Sequence, residues 1–441
     1  MGVTEVQGSA VVIGAGIAGL VAARVLSRRY SSVTILDRDT LPVGVEPRRG
    51  VPQSAHPHLL LASGMRELDA LFPGLGDELV EKGALHFDLG TGVCVYRDGS
   101  RWPRQAMGVD LVAISRPLLE ATVRDRVAKE PGVTIRDGVS VTALDGAGGR
   151  VTGAFLDTGE LVEADLVVDA SGRGSRSDRW LAALGFPAPA QVEIKVGVTY
   201  TTRIYRRSPG ELEDWQAALV MPTPPGEKRS GFAMAVEDDR WLVTVGGWHI
   251  DEPPNDVATF EEYAKSLPDP IVADLISRAE PLTEPALYRF PSSRRRRFDA
   301  LDRIPAGYVA IGDAFCSFNP LYGQGMTCAA LQAGALDRAL ERHGTATVEM
   351  ARDYFRAAAE TLAIPWQFAV GNDFNYPETT GARPRGIKLS NWYVRRITKA
   401  SKRDPDLTRV FFSVQHLVAP PSALFKPAMV AKVLWLSGGR S

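Results

Sequence analysis

Residues 10–37 constrain this chain more than any other stretch. Ala10–Ile13 is an apolar run of strand length, and Gly14-Ala15-Gly16-Ile17-Ala18-Gly19 follows it at the start of a helical pattern over Ile17–Arg29. A second apolar strand, Val33–Leu36, completes a βαβ opening. Glycines so spaced let the backbone approach a pyrophosphate, and the positive end of the helix stabilises that anion. Asp37 ends the second strand 23 residues after Gly14, where a carboxylate can accept hydrogen bonds from ribose hydroxyls; Arg38 follows it. A glycine turn that only packs a helix onto a sheet would not need the acid. The motif alone does not separate FAD from NAD.

At 441 residues the chain exceeds one compact core, so two lobes with an appendage are expected. Leu166–Val168 and Val309–Ile311 repeat the texture of a buried parallel strand. They must share a sheet with the opening strands, which makes the first lobe discontinuous. Between about Pro187 and Arg289 the pattern changes to period two, with Val196, Val198, Tyr200 and Thr202 alternating with Gly197, Thr199, Thr201 and Arg203. Gly231–Glu237 and Trp241–Gly247 read as a hairpin turning at Asp238-Asp239-Arg240. Meander strands with turns at Asp145-Gly146 and Asp157-Thr158-Gly159 are expected before Leu166. The fold class is α/β. A Rossmann-like cofactor domain comprises 1–75, 108–186 and 290–345, an antiparallel β domain 76–107 and 187–289, and a helical region 346–441.

Two further motifs sit at strand ends. Asp169-Ala170-Ser171-Gly172-Arg173-Gly174-Ser175 pairs a strand-terminal acid with small residues that allow close approach of a ligand. Gly312-Asp313-Ala314, followed by Asn319-Pro320 and Gly323-Gln324-Gly325-Met326, places an acid that can accept a sugar hydroxyl before a turn that starts a helix. The positive end of such a helix suits the negative N1–C2 edge of a reduced flavin.

Fingerprint, DxxGxxS-type motif and GDA…NPxxGxG, in this order, resemble the flavin monooxygenases related to para-hydroxybenzoate hydroxylase and squalene epoxidase. Arg49-Gly50-Val51-Pro52-Gln53, His56, His58 and "NPLYGQGM" resemble more narrowly the bacterial polyketide epoxidases acting on polyether precursors. The resemblance spans about Ala10 to Arg342. It implies FAD held by Gly14, Gly16, Ile17, Ala18, Gly19, Asp37, Arg38, Asp169, Gly172 and Gly312. It also implies Arg116 near the phosphates, Arg49 on the flavin side, Asp313 at the ribityl chain, and Pro320 with Gly323, Gln324, Gly325 and Met326 beside the ring. The implied activity is insertion of one oxygen atom from O2 into a hydrophobic natural-product intermediate, most directly alkene epoxidation through a flavin C4a-hydroperoxide. Electrons would come from NADPH or NADH, or from a separate flavin reductase, since no second nucleotide fingerprint occurs. Positioning at Pro320, Gly323 and Gly325, rather than an acid–base cluster, would carry the chemistry. Two positions depart from the pattern. Ala170 replaces the glycine of the aromatic hydroxylases' Asp-Gly pair, which puts their mode of NAD(P)H docking in doubt, and Ala55 stands where polyether epoxidases often carry a basic residue.

Other readings on the same fold are aromatic hydroxylase, flavin-dependent reductase and non-redox cyclase. A halogenase would need a WxWxIP segment, and no Trp-X-Trp occurs. Tyr200, Met234, Trp241, Trp248 and His58 are the candidate substrate-pocket residues. His56 and His58 have no thiol or carboxylate neighbours in sequence, so no metal site is expected. Arg294–Arg297 is a basic run expected to form a solvated face, with docking of a reductant phosphate by Arg296 or Arg297 as the alternative.

Lys+Arg 51 against Asp+Glu 52 offers no overall field for nucleic acid or an anionic membrane. The three cysteines, Cys94, Cys316 and Cys328, lack metal spacing and read as reduced thiols. With no signal-peptide pattern, a cytoplasmic location is expected. The apolar Phe425–Leu436 stretch is expected to pack against the body rather than touch a membrane.

Overall fold

The computed structural model describes residues 8–48, 50 and 52–438. The chain opens with β1 (Ser9–Ile13), α1 (Ile17–Leu26) and β2 (Ser32–Leu36), and an excursion then carries β3 (Val93–Arg97). It returns through α2 (Arg116–Ala128), β4 (Val133–Arg136) and β5 (Leu166–Asp169). A second lobe follows as β6 (Gln191–Arg206), β7 (Ala217–Val220), β8 (Arg229–Val236), β9 (Arg240–Trp248) and, after helices at Val257–Lys265 and Ile271–Arg278, β10 (Ala286–Arg296). β11 (Tyr308–Ala310) and α3 (Gly325–His343) close the first lobe. The C-terminal region is α4 (Val348–Asp373), α5 (Ile387–Ser401), α6 (Pro405–Gln415) and α7 (Pro427–Gly438).

The first sheet runs β11-β5-β1-β2-β4, all parallel. Its apolar strands are buried on both faces, as a covered parallel sheet requires. Val11, Val12, Val33, Ile35, Val167 and Val168 are all at most 1% exposed. This arrangement, an α/β fold with a discontinuous Rossmann-like domain, is the one the strand textures imply. The larger sheet is ordered β10-β6-β9-β8-β7-β3, with Cys316–Ser317 pairing β10 at one edge. Strand β10 continues this sheet to Arg296, past a boundary at residue 290, because it pairs β6 from Gln191↔Arg296 to Thr202↔Ala286, with one register shift between Lys195 and Val198.

Each strand of that sheet has two faces, and period two decides what each meets. Trp241, Val243 and Val245 of β9 pack with Phe260, Ile271 and Leu275 of the two short helices. Leu242, Thr244 and Trp248 point the other way, with Phe232 and Met234 of β8. The β8–β9 turn falls at Asp238 and Asp239, both at positive φ, as a tight hairpin needs. The earlier meander turns at Gly148-Gly149, also both at positive φ, instead of at Asp145-Gly146. Two adjacent glycines reach that conformation without strain, and Asp145 and Gly146 stay in the strand at a register shift. Helix α7 buries Val433 against the body but leaves Leu434 and Trp435 outward. Among the described residues, no helix is long and apolar enough to cross a membrane.

Candidate active site

The fingerprint loop is braced by its own neighbours. Gly14 sits at φ 105, and a Cβ there would meet the Ala170 carbonyl oxygen at 2.6 Å, so the β1 and β5 loops touch through backbone alone. A Cβ on Gly19 would strike the Gly14 carbonyl, which presses α1 onto the loop. Gly312, at φ 64, lies so near Ala18 that a Cβ would come within 2.6 Å. The three motifs, spread over about 300 residues, thus converge at the ends of β1, β5 and β11.

The carboxylate of Asp37 accepts from the Ala15 amide at 2.6 Å and from the Arg48 guanidinium at 3.0 Å. Arg48 is buried and also pairs with Glu120 of α2 at 2.8 Å, and Glu120 with Arg116 at 3.3 Å. A chain of alternating charge therefore ties β2, the loop after it and the start of α2. Ser115 caps that helix by accepting from the Leu118 amide. Arg48 was not among the sequence candidates; its neighbour Arg49 was, and Arg49 lies outside the described residues. In an Arg-Arg pair, no local signal selects which side chain turns inward.

One cavity of about 580 Å³ collects most of the expected residues. Gly14, Gly16, Ile17, Ala18, Asp37, Arg38, Arg116, Gly172, Gly312, Asp313, Pro320, Gly323, Gln324, Gly325 and Met326 line it, as do His58, Tyr200 and Trp248. Gly19 lies behind the loop, where it packs the helix. Asp169 does not reach the cavity, contrary to the cofactor contact the resemblance implies. Its carboxylate is fully buried and turned away, accepting from the Ser171 amide at 3.0 Å, the Ser175 hydroxyl at 2.5 Å and Tyr308 at 3.2 Å. It shapes the loop that lines the cavity and does not face it.

Asp313 does face it. Among the described residues no donor reaches its carboxylate, which burial holds above the usual range against the pull of Arg116 and Arg173. An unmatched carboxylate in a half-buried cleft suits a polyhydroxyl chain. Arg173 also lines the cavity and went unrecognised as a site residue. It donates to the Ser292 carbonyl at 2.6 Å and the Ser317 hydroxyl at 3.0 Å, and lies 4.8 Å over Phe290. It joins the cofactor lobe to β10. Arg296 carries no docking site, because it is 2% exposed and donates to the carbonyls of Ala314 and Ser175. Arg297 is taken by Asp299 at 2.8 Å.

The turn before α3 is held from outside the lobe. Asn319 is fully buried, accepts from the Leu321 amide and donates to Asp373 at 2.9 Å. The same Asp373 oxygen accepts from Trp248 Nε1 at 2.8 Å and from the Tyr322 hydroxyl at 2.8 Å. Burial pushes Asp373 up to about 6, against those three donors. A lone acid inside a long helix gave no sequence signal for this role. Gly323, at φ 65, turns the chain so tightly against Leu59 that a Cβ would come within 2.8 Å.

Beyond this turn lies a smaller chamber of about 150 Å³, sharing Leu59, Leu219, Phe232, Trp248, Leu321 and Gln324 with the main cavity. Phe87, Trp102, Met234, Phe411 and Phe412 complete its largely apolar wall. Trp241 lines neither chamber. It stands seven residues before Trp248 and so on the opposite face of β9, with its Nε1 donating to Glu211 at 2.9 Å. His58 directs Nδ1 to the His56 carbonyl at 2.8 Å, and His56 directs its own Nδ1 to Thr202 at 2.7 Å. Burial drops these imidazoles to about 3 and about 4, with Arg116 adding to the effect at His58. Among the described residues no three His, Cys, Asp or Glu side chains group as a metal site.

A long cavity flanked by the N-termini of α1 and α3, with an unmatched acid between them, fits an extended anionic dinucleotide. Fold and site define an FAD-binding flavoprotein. A family model described as an NAD(P)-binding Rossmann-like domain matches residues 12–58, and one described as tryptophan halogenase matches residues 117–180. The chain is 36% identical over 433 residues to Protein Rv3254 of Mycobacterium tuberculosis, covering 91% of this chain and 88% of that one. It belongs to the same family. A kynurenine 3-monooxygenase of Salinispora arenicola is 28% identical, covering 76% of this chain and 72% of that one. The structure of PqsL, described as a probable FAD-dependent monooxygenase from Pseudomonas aeruginosa, superposes with a TM-score of 0.63 at 18% identity, covering 84% of this chain and 97% of that one.

Proposed function

We propose that this enzyme epoxidises an alkene of a hydrophobic natural-product intermediate, using one oxygen atom of O2 and electrons from NADPH, NADH or a separate flavin reductase. The observation that carries this reading is the apolar chamber that meets the cofactor cavity at the Asn319–Gln324 turn. In this reading Gly14–Gly19, Asp37, Arg38, Arg116, Gly172, Gly312 and Asp313 hold FAD, and Pro320 and Gly323–Met326 border its ring. Bound reduced FAD supplies activated dioxygen. The chain's own residues keep water out and fix the alkene, with Trp248, Tyr200 and His58 at the cofactor end and Met234 deeper in.

Protonation supports an alkene over a phenol. Attack on a phenol gains from a base that removes its proton. His58, His56 and His416 are held at about 3, about 4 and about 4 by burial, too weak to take a phenol proton. Burial likewise keeps Tyr200 and Tyr288 protonated. Asp373 lines neither chamber. Aromatic hydroxylation is the second reading, favoured by the name of the Salinispora relative. Turnover with NADPH under ¹⁸O2 and a panel of linear polyenes separates the readings. One labelled oxygen gained with loss of one double bond supports epoxidation. Uptake of two hydrogens, cyclisation without oxygen, or a labelled phenol from an aromatic panel overturns it.

A further inference from the structure

The chain's near-zero net charge hides a segregation. Residues 382–438 carry eleven Lys and Arg against two acids, Asp404 and Asp406, whereas the rest of the chain carries 40 against 50. Both acids are already paired, Asp404 with Lys432 and Asp406 with Arg409. Among the described residues Lys388, Arg395, Arg396, Lys399 and Lys426 have no acidic partner. The same region holds five of the eleven large apolar side chains exposed among the described residues, including both tryptophans. Trp435 is 78% exposed, Leu389 69%, Phe425 60% and Trp392 41%.

These two features share a surface. On α5, Lys388, Leu389, Trp392, Arg395 and Lys399 recur at helical spacing on the exposed side, while Ile387, Tyr393 and Ile397 face inward. Phe425 stacks on Tyr393 with ring centroids 5.1 Å apart. Arg396 lies 4.6 Å over Trp392 and donates to Ser437 at 3.1 Å, two residues from Trp435. Tryptophans beside unpaired cations on a surface helix are the composition of an interfacial membrane contact. The rings enter the headgroup layer and the cations meet anionic lipid.

We propose that α5, Phe425 and α7 form a docking face for an anionic lipid bilayer, on which the enzyme lies without spanning it. The region between them also serves the site. Helix α6 sends Phe411 and Phe412 into the apolar chamber, so docking would set that chamber beside a reservoir of apolar substrate. Binding to lipid does not depend on the proposed reaction; only the link to substrate supply does.

The test is sedimentation of the full FAD-loaded protein with vesicles of phosphatidylcholine containing about one-third phosphatidylglycerol, against phosphatidylcholine alone. Binding to the anionic vesicles at low salt, a blue shift of tryptophan emission and release at high salt are expected. Each basic residue near the surface contributes roughly a fivefold change in partitioning, so K388Q/K399Q should bind roughly twenty- to thirtyfold more weakly. W392S/W435S should lose the emission shift. Unchanged FAD absorbance and melting temperature confirm that the variants fold. Equal binding to neutral vesicles, no binding to either, an unaffected K388Q/K399Q, or self-association that buries Trp392 and Trp435 would overturn the proposal.

Discussion

Asp373 is where stability, pH and the site meet. One of its oxygens accepts from Trp248, Asn319 and Tyr322, and the other has no donor among the described residues. Replacing it with alanine strands three buried donors at about 1–3 kcal/mol each, so a loss of at least about 3 kcal/mol is expected. Asparagine keeps an acceptor for the three donors but cannot ionise, which isolates the charge. The carboxyl is raised from 3.8 to about 6 in the folded protein. Between those values the folded state holds a proton that the unfolded state has released. Its contribution is therefore fully present below the unfolded value and lost as pH rises through the folded one. A shift of about two units is worth about 3 kcal/mol. The assay is urea unfolding of wild type, D373N and D373A at about pH 4 and about pH 7.5, with m-values compared. D373N should gain on wild type by about 2.4 kcal/mol between the two, since pH 4 already lies just above the unfolded value, while D373A remains the least stable. A gap between wild type and D373N that does not move with pH, or a D373A cost below about 1 kcal/mol, would overturn this role for Asp373.

Three further outcomes are expected. D313A should weaken FAD binding about 10- to 100-fold, the loss of a charged hydrogen bond or two, read by titrating the apoprotein with FAD and following flavin fluorescence. R48M leaves Asp37 and Glu120 without the cation between them, and should cost about 3–5 kcal/mol in unfolding free energy. M234W should fill the apolar chamber and raise KM or abolish turnover with FAD content unchanged, whereas W241F, on the far face of β9, should leave kcat/KM within about twofold.

Motifs written in consecutive residues were legible in the sequence; partnerships made across the fold were not. The fingerprint, Asp313 and the Gly323–Gly325 turn are local devices in which a strand, a glycine and an acid declare a backbone geometry. Period two was equally readable, and applied strictly it separates Trp241 from Trp248, which an odd interval puts on opposite faces. Asp169 misled because a strand-terminal acid can serve either a ligand or its own loop. The difference lies in Ser175 and Tyr308, the second of which arrives from 139 residues away. Arg48, Arg173 and Asp373 owe their roles to partners on other elements, and nothing in their sequence neighbourhoods distinguishes them from solvated charges. Whole-chain charge hid the basic C-terminal region for a similar reason, since a sum carries no position.

The proposed reaction needs this cavity to turn bound reduced flavin on O2 for oxygen transfer. Stopped-flow mixing of the reduced holoprotein with oxygenated buffer, following the flavin spectrum, tests it most directly. A transient spectrum distinct from both reduced and oxidised flavin is expected, decaying faster when a hydrophobic alkene is present, with one oxygen atom recovered in that alkene. Direct return to oxidised flavin, with or without substrate and with all the oxygen released as hydrogen peroxide, would contradict it.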